Sequence, residues 1–426
     1  MTHYDQAAAR RRMFRRRRIT VAVAALLAIA GSYVGVVGFA DLPKLPVTMT
    51  ADAEASVEVD ESAPQAAVAA QSRPTAVGWL DGEQVWSNDD EPHRIASLTK
   101  VITALVGLEA APVEAGSDGP TYTLTWDDAA ILDEILAEGG SFAPVEVGLE
   151  LTTRQILDLI LVPSANNYAT TYARWVFGSD EAFLQAAADW LARHGLDSVR
   201  IFDATGMNDD NQATAADIVR LSRLALAHPL VAEIVAQSSF EVPAFGEITT
   251  TNRLLGEPGM LGIKTGTTFP EGYSLAAAQR EDASGRELVA IAVVMDRADA
   301  DDRATDARDA LAAMAVAWQT VTLIEPGEEI GEVTTWQGEV VPLVTEAGAE
   351  VVLRSGEGAS RAAALSEVTA GSASRSVGEV LVSAPTGDSE IAVVTSAAIE
   401  TPDLWWRLTH PHVIYGWQPI EAKSPT

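Results

Sequence analysis

Three short motifs, far apart in the chain, constrain its fold most: Ser97-Leu98-Thr99-Lys100, Ser164-Ala165-Asn166 and Lys264-Thr265-Gly266. Ser164 lies 64 positions after Lys100, and Lys264 lies 98 after Asn166. A fold in which they act together must bring three distant segments to one place. Each motif has an ordinary reading by itself. The first is a helix start with a solvated lysine, the second a helix cap, the third a strand end. Lysine usage sharpens the match. The chain has 25 Arg but only 4 Lys: Lys44, Lys100, Lys264 and Lys423. Two of the four fall on motif positions where the chemistry needs an amine that can lose its proton, which a guanidinium does not do.

A serine hydroxyl is a weak nucleophile until a base takes its proton. Ser97 is expected near the N-terminus of an apolar helix over about 97–109, with Lys100 one turn on and on the same face. To act as base, Lys100 must be neutral. Burial and a second cation, for which Lys264 is the candidate, would lower its pKa. A second helix, over about 153–161, is expected to end near Pro163. Ser164-Ala165-Asn166-Asn167 then starts another, running through Tyr168 to Phe177. In this reading Ser164 relays a proton to the leaving amine, Asn166 hydrogen-bonds Lys100 and a substrate amide, and Asn167 has no assigned role. Residues 260–267 read as a strand, followed by antiparallel strands at 273–279 and 288–295 around the turn Asp282-Ala283-Ser284-Gly285. Gly266 would allow a peptide to approach the strand edge. Lys264 and Thr265 would hold a carboxylate, and the N–H groups of Ser97 and Thr267 would form an oxyanion hole. A hairpin is expected at Ala76–Leu80 and Gln84–Trp86, around Asp81-Gly82-Glu83.

Composition excludes several other classes. The net charge is −31, and everything after the Arg-rich start carries about −37 (22 basic minus 59 acidic, Asp5 set aside). Such a surface repels nucleic acid. There is no cysteine, so no disulfide, thiol nucleophile or zinc-thiolate site. The six His form no HExxH pair, and neither a metal nor a cofactor is expected.

Residues 1–18 are Arg-rich (Arg10 to Arg12, Arg15 to Arg18) and are expected to stay cytoplasmic. Residues 19–40 are uncharged, about 33 Å as a helix, enough to span a bilayer. Their length favours a retained membrane anchor. The rival is a leader cleaved after Ala40, with Gly38 at −3; both place the remainder outside the cell. Residues 41–74 read as a flexible acidic Ala/Pro spacer, 75–322 as the catalytic domain, 324–398 as a small β domain and 399–426 as an aromatic segment. That segment either packs on the β domain or rests on a membrane interface.

Three stretches carry a resemblance. Ile95-Ala96-Ser97-Leu98-Thr99-Lys100-Val101-Ile102-Thr103-Ala104-Leu105, Asp203-Ala204-Thr205-Gly206-Met207 with Thr214-Ala215-Ala216-Asp217, and Gly262-Ile263-Lys264-Thr265-Gly266-Thr267 with Gly272-Tyr273-Ser274 are similar to the blocks of the low-molecular-mass penicillin-binding proteins that act as serine-type D-alanyl-D-alanine carboxypeptidases. The resemblance implies an α/β (α+β) fold, the transpeptidase fold of penicillin-binding proteins and serine β-lactamases. In it an antiparallel five-stranded sheet is flanked by helices, and here a small C-terminal β domain follows. It implies removal of the terminal D-Ala from peptidoglycan stem peptides through an acyl-enzyme on Ser97, with β-lactams acylating the same serine. It also implies an Arg for the substrate carboxylate, for which Arg297, Arg303 and Arg308 all qualify. The alternatives are a β-lactamase or D,D-endopeptidase of the same fold, or a non-catalytic sensor. The absence of a Glu-x-x-Leu-Asn segment between Asn166 and Lys264 weighs against a class A β-lactamase.

Overall fold

The computed structural model describes residues 3–114, 116–268, 272–369 and 376–417, which divide into two compact units. One comprises Val59–Thr320 with Val352–Glu357; the other comprises Met1–Glu58, Val321–Val351 and Gly358–Thr426.

The first unit holds all three motifs. Its strands β1 (Thr75–Trp79), β2 (Val85–Ser87), β3 (Met260–Thr267), β4 (Tyr273–Ala283) and β5 (Arg286–Arg297) form one five-stranded sheet in the order β3-β4-β5-β1-β2. Every pairing is antiparallel, with Lys264 opposite Ala276, Ala277 opposite Ala292, and Ala292 opposite Val77. Its helices include α1 (Thr99–Ala110), α2 (Thr153–Leu161), α3 (Asn166–Phe177), α4 (Ala215–Ala227) and α5 (Ala300–Ala315). The run from Leu288 to Met295 in β5 is apolar throughout, as a strand covered on both faces must be. The pleat sends Ile291 and Val293, with Ala276 and Ala278, into a core shared with Ile218 and Val219 of α4. It sends Ala292 and Val294, with Val77 and Ala277, into a second core closed by Ala307, Leu311 and Met314 of α5. The expected hairpin is present, with Val77 opposite Trp86.

Helix α1 is buried on every side from Thr99 to Leu108, wrapped by Ile156, Ile160, Tyr168 and Tyr172. The expected helix start at Ser97 is instead a 3₁₀ turn, Ala96–Leu98, leading into α1.

Residues 41–74 differ from the expected flexible spacer. Val47–Met49 pairs with Glu329–Thr334, and Glu54–Glu58 pairs with Gly358–Leu365. Ser62–Ala69 forms a helix that buries Pro64, Ala67 and Val68. The two strands are short and mostly exposed, so no apolar alternation marks them. Backbone pairing, not side-chain hydrophobicity, recruits them.

The second unit carries a seven-stranded antiparallel sheet, ordered 47–49, 329–334, 340–345, 389–395, 376–383, 358–365 and 54–58. Ile330, Val333, Leu343, Val380, Val382 and Val393 are buried in it. The chain's long apolar helix, His3–Gly38, also belongs to this unit, and its segment from Arg10 to Gly38 is long and apolar enough to cross a membrane. Residues 418–426 of the aromatic segment lie outside the described residues.

The order of residues 59–74 is testable. Val68→Asp places a charge in the core beneath α5 and should lower the unfolding free energy of the catalytic unit by roughly 3 kcal/mol or more, measured by chemical denaturation. A flexible spacer would tolerate it.

Candidate active site

The catalytic geometry begins with backbone. Ala96 sits at φ +45°, outside the comfortable range of an L-residue, and turns Ser97 out of the 3₁₀ segment into a cleft of about 460 Å³. Two glycines make room for that turn. A Cβ on Gly206 would fall 1.8 Å from the Ala96 carbonyl oxygen, and one on Gly266 would fall 2.8 Å from the Ile95 carbonyl oxygen. Gly266 therefore clears space for the backbone that carries Ser97, where the sequence suggested a role toward a bound peptide.

Lys100 Nζ donates to Ser97 Oγ at 2.8 Å and to the Thr205 carbonyl at 2.7 Å. The lysine has no solvent exposure. Burial pushes its pKa down to about 7, against an opposing pull from Asp203. Lys264 is likewise buried, and its amine is held well below the usual lysine range by burial, then by the charges of Lys100 and Arg303.

Ser97, Ser164, Asn166, Thr265 and Thr267 all line the cleft. Lys100, Lys264 and Gly266 are not among the cleft's lining residues; Lys100 reaches it through Ser97 Oγ. Ser164 adopts φ +70°, and its Oγ is buried with no protein partner among the described residues, as is Asn166 Oδ1. The Asn166 backbone N–H donates to Ser141 O at 2.8 Å. The expected bond between Asn166 and Lys100 is not among those formed by the described residues; the Thr205 carbonyl takes that donor instead. Asn167, unassigned from sequence, clamps Ala143 with both ends of its amide, Oδ1 accepting at 3.1 Å and Nδ2 donating at 3.0 Å.

The three candidate arginines separate cleanly. Arg297 is buried off the cleft, bonded to Asp306, Gln71, Thr75 and the carbonyls of Pro74 and Met295. Arg308 pairs with Glu257 at 2.6 Å, half-exposed on the surface. Arg303 lines the cleft. Its Nη1 donates to Gly266 O at 3.0 Å and to Thr267 Oγ1 at 3.1 Å, and its guanidinium lies 5.5 Å from the centroid of the Tyr273 ring. Burial, then the charge of Arg253, lowers its pKa to about 10, which leaves it cationic at neutral pH. Beside it the hydroxyls of Thr251 and Thr265 lie 2.6 Å apart.

Apart from Arg303, this constellation sits in the region that a family model described as D-alanyl-D-alanine carboxypeptidase matches, residues 84–299. The chain belongs to the D-alanyl-D-alanine carboxypeptidase family. It is thus a serine peptidase of the penicillin-binding class, as the motif resemblance implied. The D-alanyl-D-alanine carboxypeptidase DacB2 of Mycobacterium tuberculosis is 31% identical over 218 residues, covering 49% of this chain and 70% of the relative. DacF of Bacillus subtilis, a carboxypeptidase by the same description, is 23% identical over 278 residues, covering 63% of this chain and 69% of the relative. Among solved structures, a peptidoglycan synthesis regulatory factor, PBP3, from Streptococcus pneumoniae shares the fold with a TM-score of 0.54. It is 20% identical and covers 77% of this chain and 99% of the other.

The Asp203–Met207 block carries part of the family resemblance, and its sequence alone assigns it no task. Here the Asp203 carboxylate gathers the loop, accepting from the N–H groups of Thr205, Gly206 and Asn208 at 2.7, 2.5 and 2.6 Å and from Asn211 Nδ2 at 3.2 Å. That holds the Thr205 carbonyl on Lys100. The Asp-x-Thr-Gly pattern is the one signal that could have announced this turn. Gly206→Ala should destabilise the unit by roughly 3 kcal/mol or more, because the Cβ meets the Ala96 carbonyl at an unfavourable φ. Thermal denaturation and fluorescent-penicillin labelling check this, and both should fall together.

Proposed function

We propose that this chain removes the terminal D-alanine from peptidoglycan stem peptides, with Ser97 as nucleophile and Lys100 as its base. The observation that carries this is a fully buried amine 2.8 Å from the serine hydroxyl, with its pKa lowered to about 7. Neutral Lys100 takes the Ser97 proton as Oγ attacks the carbonyl carbon of the penultimate D-Ala. The N–H groups of Ser97 and Thr267 receive the oxyanion. Collapse of the tetrahedral intermediate expels the terminal D-Ala amine, which receives its proton from Lys100 through Ser164. The ester on Ser97 then yields to water, with Lys100 again as base, and Ser97 recovers its proton. Asn166 meets the substrate amide. Lys264, Thr265 and Arg303 hold the terminal carboxylate. β-Lactams acylate Ser97 by the same first steps.

The unit bearing the site is further proposed to work outside the cell, held by a membrane anchor formed by residues 19–40. The seven Arg between Arg10 and Arg18 support the cytoplasmic placement of the preceding residues. The domain limits 75–322 and 324–398 are retained as functional limits, with residues 59–74 added to the catalytic part.

The deciding experiment combines two readouts on the detergent-solubilised full chain: the lifetime of a fluorescent penicillin label and D-Ala release from a diacyl-D-Ala-D-Ala peptide. Long-lived label with D-Ala release is the expected result. Rapid label loss with antibiotic turnover indicates a β-lactamase, and stable label without D-Ala release indicates a sensor. Ser97→Ala should abolish labelling.

The base assignment has its own signature. Below pH 7 Lys100 carries a proton and cannot accept another, so the acylation rate should rise with pH through an apparent pKa near 7. Lys100→Arg, which cannot discharge, should lower acylation roughly 10²–10⁴-fold at every pH from 6 to 9. A flat wild-type profile across that range would refute the assignment.

Arg303→Gln should reduce kcat/KM roughly 10–100-fold for a peptide ending in a free carboxylate. The rate on the corresponding C-terminal amide should change little.

A further inference from the structure

The aromatic stretch near the end of the chain is built against the apolar helix. From Arg10 onward the helix is exposed except near its end, where Val34 is half-buried and Val37 and Gly38 are buried. Gly38 is met by Leu404–Thr409, the first of two short helices, the second being Pro411–Tyr415. The approach is close: a Cβ on Gly38 would lie 2.6 Å from Leu404 Cδ1 and 4.0 Å from Leu408 Cδ2. The contact is also polar in both directions. Arg407 Nη1 donates to the carbonyls of Gly38 and Ala40 at 3.1 and 2.9 Å. The Tyr33 hydroxyl donates to Leu408 O at 2.8 Å, and the Tyr415 hydroxyl donates to Val36 O at 3.0 Å.

The last carbonyls of any helix lack an intrahelical donor, and unmet carbonyls are costly beside hydrocarbon. A cation there also complements the helix dipole. Arg407 supplies both from a position 369 residues away from Gly38 in sequence. Around this clasp, Trp405 and Trp417 are 74% and 60% exposed, and Phe39, Leu404 and Tyr415 also face solvent. Large apolar side chains thus crowd the exit of a helix fit to span a bilayer, in a chain whose surface is otherwise strongly acidic. Trp and Tyr concentrate at membrane–water interfaces because their rings are apolar and their polar edges stay wet.

We propose that residues 404–417 form an interfacial collar that caps the exit end of the membrane helix and seats Trp405 and Trp417 in the headgroup layer of the same phospholipid bilayer. This rests on the reading of residues 19–40 as a retained anchor. Cleavage after Ala40 would remove Tyr33, Val36 and Gly38 and strip Leu404, Arg407, Leu408 and Tyr415 of the surface they pack on. The fold of the C-terminal pair therefore presupposes an intact helix.

The test uses the full chain in vesicles of phosphatidylethanolamine and phosphatidylglycerol carrying brominated lipid, with bromine either shallow or deep. Shallow bromine should quench wild-type tryptophan fluorescence at least about twofold more than that of the Trp405→Phe/Trp417→Phe variant; equal quenching overturns the collar. Arg407→Ala should speed amide exchange across 404–415 by roughly tenfold or more, with penicillin labelling of Ser97 unchanged; unaltered exchange overturns the clasp. Intact mass separates this from the anchor reading. Helix retained with equal quenching sinks the collar alone, whereas a chain recovered without residues 1–40 sinks the anchor reading and the collar with it.

Discussion

A lysine amine sealed from water is unstable as a cation, and in the proposed mechanism that instability is the source of reactivity. Lys100 keeps hydrogen bonds to Ser97 Oγ and one backbone carbonyl and has no exposure to solvent. Its surroundings can then be understood as what it takes to bury an amine there without losing the serine. Helix α1 is covered on all sides, so Lys100 cannot swing out to solvent. Asp203 does not touch the amine; it organises the loop whose Thr205 carbonyl does. A carboxylate placed directly on Lys100 would have stabilised its charged form and raised the pKa. The observed arrangement keeps the negative charge one step removed and presents a neutral acceptor.

The sheet serves the same end. Strand β3 is at the edge of the five-stranded sheet, so among the described residues one side of its backbone has no strand partner. Packing on both faces of β4 and β5 fixes where β3 lies, and β3 in turn brings Lys264 and Gly266 up to the turn that carries Ser97. The missing Cβ of Gly266 lets that turn approach within van der Waals distance of the strand. Ser97 is thus positioned by backbone approaching backbone at two glycines, Gly206 and Gly266. Such positioning is stiffer than any made through long side chains.

What the sequence revealed follows the physics of each feature. Ser97, Lys100, Ser164, Asn166 and Lys264 were legible because their chemistry demands particular side chains, and β5 because its apolar run, Leu288–Met295, is long, with the Asp-Ala-Ser-Gly turn marking its pairing with β4. The role of Thr205 was not legible, since any residue offers a carbonyl and only the loop conformation aims it. Arg303 could not be told from Arg297 and Arg308. Arg297 terminates β5, and the five-residue step from 303 to 308 turns the helix by more than a full revolution, so which face meets the cleft depends on packing. Residues 47–58 were hidden because short half-exposed strands carry no period.

The two buried lysines also limit one another. With both amines protonated, two like charges would share a site closed to water, and the charge of Lys100 lowers the pKa of Lys264. In the proposed mechanism only Lys100 has to be neutral when acylation begins, so the cationic end of the cleft cannot depend on Lys264 alone. Arg303 resolves the conflict. Its guanidinium remains charged at neutral pH despite burial, and it reaches the cleft beside Thr267. An arriving carboxylate meets a permanent cation first. Its own negative charge then favours protonation of Lys264 and, in proportion to distance, less so of Lys100. Substrate binding would thus sort the protons in the direction that acyl transfer requires: Lys264 charged against the carboxylate, Lys100 neutral against the serine.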